Sequence, residues 1–230
     1  FDPRARLMST NVPMTFTATL GIFRRPFFWA LLYSNLAGVS SGILILTSAL
    51  QMWEEYNTDQ SKLHWNQLIT IYFSAASGIA NVVAPLLSDH LHSRGVVRRS
   101  RLLAGILAVC ALNFVALGVM TLIPHQHHGA CALKMAFVFL LAVPGLGFGS
   151  YLTLFPTVLE DTYGIANFGV FMSFMQIGST VFALLVPIAA SAIKETWGSY
   201  NSLYWVMGGM LMLAAACMGW PTPRSPPFGK

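Results

Sequence analysis

Residues 88–101 read SDHLHSRGVVRRSR, a short basic turn between two long apolar stretches. Asp89 stands where one helix would close, Gly95 supplies a loop glycine, and Arg94, Arg98, Arg99 and Arg101 crowd behind it. Arginines in short loops beside apolar runs are how membrane topology is written, so this turn decides between a soluble and a membrane protein. Composition points the same way. The chain is 55% hydrophobic and 9% charged, whereas soluble chains carry about 25% charged residues; mean hydropathy is +0.62. The net charge of +5 resides in loops flanking apolar runs, which argues against nucleic acid as a partner and for the lipid bilayer.

A bilayer core needs about 20 predominantly apolar residues per helix. Six segments qualify: Phe27–Trp53, Asn66–Leu87, Leu102–Ile123, Leu133–Leu159, Phe168–Ile193 and Leu203–Trp220. Transmembrane barrels show segments of about ten residues with alternating polarity instead, and no such pattern is present. The expected fold class is all-α, a polytopic membrane protein with six transmembrane helices. Alternate loops place Arg4, Arg6, Arg24, Arg25, Arg94, Arg98, Arg99, Arg101, Arg224 and Lys230 on one side, and only Lys62, Lys134 and Lys194 on the other. Cytoplasmic loops collect the positive residues, so both termini are expected in the cytoplasm. Trp29, Trp53, Trp65, Trp197, Tyr204 and Trp220 fall near span ends, where interfacial aromatics sit. Cys110, Cys131 and Cys217 show no CxxC spacing and read as small packing residues.

The spans differ in polarity. The third and sixth are nearly pure hydrocarbon. The first carries Asn35, Thr47 and Gln51, the second Ser74, Ser77 and Asn81, and the fifth Ser173, Gln176, Ser179 and Thr180. Polar groups at membrane depth need partners, so such helices face protein or a water-filled cavity; for the serines, close helix packing is the favoured reading. Asn35, Thr47, Gln51, Asn81, Gln176 and Tyr151 are the candidates for a solute cavity. The fourth span contains VPGLGFGS, residues 143–150. Its proline and glycines suit a weakened helix that bends or a surface for close packing. No Asp, Glu, Lys or Arg lies at the centre of a span, so no intramembrane carboxylate is available for proton coupling.

The basic turn resembles a motif of major facilitator transporters, G-x-x-x-D-[RK]-x-G-x-[RK]-[RK], found between the second and third helices of each six-helix half. Here Ser88-Asp89, Arg94-Gly95 and Arg98-Arg99 correspond, with Pro85 in place of the first glycine, His90 in place of the basic residue after the acid, and a stretched spacing. Further matches resemble the nodulin-like branch, near the monocarboxylate transporters. They are Phe28-Trp29, Ser40-Ser41-Gly42 and Gln51, then Asp161-Thr162-Tyr163-Gly164 followed by Phe168-Gly169. The resemblance implies the C-terminal six-helix half of a twelve-helix fold, and a first residue of Phe is in keeping with a piece of a longer chain. Residues 1–25 would then be cytoplasmic linker, 26–220 the transmembrane domain and 221–230 a cytoplasmic tail, with an N-terminal six-helix half as partner. Ser88, Asp89, Arg94, Arg98, Arg99, Asp161 and Gly164 become the expected gating and interface residues.

Three histidines, His125, His127 and His128, cluster in the loop PHQHHG. Closely spaced imidazoles can hold a divalent metal, although a solvated polar loop accounts for them too. No cofactor is implied. An enzyme is not expected: the GxSG of rhomboid-type proteolysis and the paired intramembrane aspartates of presenilin-type proteolysis are missing, as are the NPA motifs of aquaporins. The expected function is secondary transport of a small molecule or ion; the alternatives are a transition-metal transporter of iron type and a non-transporting scaffold or receptor.

Overall fold

The computed structural model describes residues 21–56, 62–122 and 131–219. They form helices α1 (Pro26–Tyr56), α2 (Lys62–Ser93), α3 (Arg99–Thr121), α4 (Cys131–Tyr163), α5 (Ile165–Trp197) and α6 (Asn201–Gly219). All six are long and apolar enough to cross a membrane. Four of them outrun the hydrocarbon: 31 to 33 residues extend about 46–50 Å, against about 30 Å of bilayer core. Residues 160–167 were expected as a loop and are not one. Helix α4 runs to Tyr163 and α5 restarts at Ile165. The break is Gly164 alone, whose φ of +79° is open to glycine and strained for other residues.

The helices pair in a pattern with its own symmetry. Helix α2 lies mainly along α4, and α5 mainly along α1; α3 packs on α6, while α1 meets α6, α3 meets α4, and α1 touches α4 at the centre. Exchanging α1 with α4, α2 with α5 and α3 with α6 carries this set of pairings onto itself. Three spans are an odd number, so the second triplet runs through the membrane opposite to the first. The unit is an inverted repeat of three helices.

Small residues bring these helices together, as membrane interfaces require. A side chain at Gly145 would overlap the Phe73 carbonyl, and one at Gly149 would overlap the Ser77 carbonyl. One face of α4 therefore lies directly on the α2 backbone. Gly147, on another face, takes the Cys110 thiol of α3, and Cys110 is buried there as a packing residue. Gly38 and Gly42 of α1 receive the rings of Tyr151 and Phe148. Of the two readings of VPGLGFGS, close packing is the one seen, within a continuous helix that also holds Pro144 and Pro156.

Burial sorts the helices. In α1, α3, α4 and α6 between 44% and 56% of the apolar span is covered, but only 22% in α2 and 17% in α5. Trp53, expected at the membrane interface, is instead buried in the core beside Phe137. The third helix is less purely hydrocarbon than its hydropathy suggests, because Asn113 is buried in it.

The glycine contacts make a prediction. Gly149→Val should lower the unfolding midpoint in detergent, by an overpacking cost of about 1–3 kcal/mol. Gly105→Ala meets open space and should leave the midpoint unchanged or higher, since Ala favours a helix interior over Gly. Equal losses in the two variants would contradict the close α2–α4 approach.

Candidate functional site

The turn between α2 and α3 is built by a glycine. The Gly95 N–H donates to the His92 carbonyl (2.9 Å) and the Val96 N–H to the Leu91 carbonyl (3.1 Å), the two bonds of a Schellman helix end. Gly95 has φ +68°, the left-handed conformation this end requires. The chain then re-enters helix at Arg99, whose side chain comes back across the turn. Its guanidinium donates one nitrogen to Asp89 Oδ1 (2.8 Å) and the other to Asp161 Oδ1 and Oδ2 (2.8 and 3.0 Å). One arginine thus ties the end of α2, the start of α3 and the end of α4.

Of the residues expected here, the structure brings Asp89, Arg99 and Asp161 together. Gly164 adjoins them and lets α5 leave α4 directly. Ser88 is buried, and its hydroxyl has no partner among the described residues. Arg94 and Arg98 are exposed. The guanidinium is 19% exposed while the two acids are 67% and 42% exposed. Exposed ion pairs contribute about 0–1 kcal/mol each, so the bridge fixes position more than it adds stability. A planar fork with five donors does this, and a lysine point charge cannot reproduce it.

The polar residues within the membrane separate into two groups. Asn35 and Tyr151 are buried and engaged. The Asn35 amide donates to the Met175 carbonyl of α5 (2.8 Å), and the Tyr151 hydroxyl donates to Asn35 Oδ1 (3.4 Å). Together they join α1, α4 and α5. By contrast Thr47, Gln51, Asn81 and Gln176 are exposed. Thr47 bonds back to the Ile43 carbonyl (2.8 Å), and Gln51 accepts from the Tyr200 hydroxyl. Asn81 and Gln176 have no side-chain partner among the described residues. Ser74, Ser77 and Asn81 recur at helical steps along one face of α2, as Ser173, Gln176 and Thr180 do along α5. Pro85 lacks an N–H, which leaves the Asn81 carbonyl without its helical donor.

A family model described as the Major Facilitator Superfamily matches residues 30–230. The chain belongs to the Major Facilitator Superfamily. A comparison with curated proteins found no match. Membership of this superfamily explains the symmetry above, since each six-helix half of such transporters nests two inverted triplets. The protein is accordingly an integral membrane protein of a transporter fold. His125, His127 and His128 lie outside the described residues. Among the described residues, no group of three or more His, Cys, Asp or Glu side chains is placed to hold a metal ion.

One contact lay unnoticed in the sequence, at the opposite end of the facilitator unit. Glu55, one residue from the end of α1, accepts from Ser199 Oγ (2.5 Å) and from the Tyr200 N–H (3.2 Å) in the turn between α5 and α6. The signal was there to be read as WEEY at residues 53–56 and LEDTY at residues 159–163, two acid pairs followed by tyrosine at the ends of α1 and α4.

The Arg99 bridge predicts a measurable coupling. A double-mutant cycle with Arg99→Ala and Asp161→Ala should give about 0.5–1 kcal/mol of interaction on unfolding, and high salt should diminish it. Zero coupling at low salt would show that the contact does not hold the two helices.

Proposed function

We propose that this chain is one six-helix half of a secondary transporter that moves a small solute by alternating access, with an N-terminal six-helix half as its partner. The observation that carries this reading is the uneven burial of the inverted repeat. The two equivalent helices, α2 and α5, are left mostly uncovered, and both carry a polar stripe, exposed at Ser74, Asn81, Ser173, Gln176 and Thr180, beside apolar residues such as Ile79, Val83, Ile177 and Leu184. Apolar exposure suits lipid or a partner helix; unpartnered amides at membrane depth suit a water-filled cavity. The stripes of Ser74, Ser77 and Asn81 and of Ser173, Gln176 and Thr180, with Thr47 and Gln51 of α1, form this half's share of the cavity wall. Asn35 and Tyr151 stand behind that wall and hold α1, α4 and α5 together. The described span centres offer the solute neutral hydrogen-bonding groups, so any formal charge needed to bind it comes from the partner half.

The Arg99 bridge, with Asp89 and Asp161, acts at one end of the cavity as a gate element. The arginine excess puts that end in the cytoplasm. Similarity of the motifs to the nodulin-like branch supports a small organic solute over a metal ion.

Flux through the full-length protein in proteoliposomes tests the reading. A panel of small carboxylates, sugars, amino acids and divalent metals should contain at least one compound that is carried, with Asn81→Leu and Gln176→Leu reducing its apparent affinity. Asp89→Asn should slow turnover with little change in affinity, because the gate does not touch solute. Zero flux for the whole panel would favour a scaffold, and unchanged turnover in Asp89→Asn would remove Asp89 from the gate.

A further inference from the structure

The two ends of the six-helix unit are fastened by the same device in two chemistries. At the Arg99 end, the acid near the close of α4 (Asp161) grips the turn between α2 and α3. At the other end, the acid near the close of α1 (Glu55) grips the turn between α5 and α6. Exchanging the two triplets carries one contact into the other. The correspondence extends to the details. Each turn contains a left-handed glycine, Gly95 at φ +68° and Gly198 at φ +72°. A buried tyrosine ends each helix, one residue after Glu55 and two after Asp161. Tyr163 stacks on Phe171 with ring centroids 4.2 Å apart, and Tyr56 stacks on Phe137 at 4.0 Å.

The donors differ. Arg99 brings a charge shared by two exposed acids. Among the described residues Glu55 receives neutral donors: the Ser199 hydroxyl at 2.5 Å and the Tyr200 N–H at 3.2 Å from both carboxylate oxygens. The Tyr200 hydroxyl, from the same turn, donates to Gln51 one helical turn before Glu55. Tyr200 is 1% exposed, with the Lys194 ammonium 4.8 Å from its ring centroid. Burial first, and the Glu55 charge second, push the Tyr200 hydroxyl above its ordinary pKa, so it remains a donor. A carboxylate that accepts these bonds is a charge-assisted acceptor, stronger than a neutral one.

We propose that Glu55 is a positioning residue for the transport cycle, the closing contact of the end opposite the Arg99 bridge. This rests on the alternating-access reading. Each clamp anchors the leading hairpin of one triplet, α1–α2 or α4–α5, to a turn of the other triplet, and does so at one end only. Losing a clamp therefore frees that end and leaves the other held. The two clamps bias the protein in opposite directions, and the neutral one does so with little dependence on salt.

Side-specific thiol labelling of the full-length protein tests this without knowledge of the solute. Gln176→Cys, near the middle of α5, serves as reporter after Cys110, Cys131 and Cys217 are replaced by Ala or Ser. Glu55→Ala should raise labelling from the Glu55 side relative to the Arg99 side by about fivefold, the population shift that about 1 kcal/mol produces. Asp161→Ala should shift the ratio the other way. Ser199→Ala keeps the carboxylate and removes one donor; it should shift the ratio in the Glu55→Ala direction by less, and it stands in if Glu55→Ala does not fold. High salt should reproduce the Asp161→Ala shift and leave the Glu55 end closed. Shifts of the same sign in Glu55→Ala and Asp161→Ala, or no shift in Ser199→Ala, would overturn the assignment. Absence of flux in the protein with Gln176 intact, with the opposite shifts present in the reporter, would instead strike at the transport reading alone.

Discussion

The contact on which the fold depends is the seating of Gly145 and Gly149 of α4 against the Phe73 and Ser77 carbonyls of α2. Lipid offers helices no hydrophobic reason to associate, so helix pairs form where backbones approach closely and van der Waals contact is continuous. Two glycines four residues apart remove the side chains that would keep α4 away from α2. With α2 and α4 fixed, the central α1–α4 crossing and the α3–α6 pair complete the layer behind them. The equivalent pair, α1 with α5, uses a different join. There the Asn35 amide reaches the Met175 carbonyl, and Gly38 makes room for the Tyr151 ring that buttresses it. One repeat is held by shape and its inverted copy by a hydrogen bond.

That division explains how polar side chains are used. Asn35 and Tyr151, at the joints, are buried and satisfied, because an unsatisfied polar group in a low-dielectric interior costs about 1–3 kcal/mol. Asn81 of α2 and Gln176 of α5 stay exposed. Charge is kept to the ends of the helices. There the Arg99 bridge and the Glu55 contact join one triplet to the other, each beside a turn with a left-handed glycine. A unit with a packed centre and adjustable ends suits rigid-body motion around a central site.

Much of this was legible in the residues. Long apolar runs, the arginine bias and Asp89 with its basic turn led to six helices and to the facilitator superfamily, because span length and topology are set locally along the chain. Boundaries were less legible: the ends of α4 and α5 follow helix continuity past the apolar run, so an expected loop collapsed to Gly164. The roles of individual polar residues were harder still. Asn35 and Asn81 look alike in sequence, yet one is buried against a carbonyl and the other exposed, a difference made only by which face meets a neighbour. Asn113 was hidden by the hydropathy around it. Arg99 could be told from Arg94 and Arg98 only once the turn had been folded. Glu55 was missed because its partners lie some 145 residues away, although the repeated acid pair and tyrosine of α1 and α4 was there to be read.

The account stands on two three-helix units running in opposite directions through the membrane. Labelling of single cysteines by a membrane-impermeant thiol reagent, at Arg94→Cys in the α2–α3 turn and Glu195→Cys at the end of α5, measures this directly. The inverted repeat predicts reaction from opposite faces, each position reached from one side alone. Reaction of both positions from the same face would contradict it.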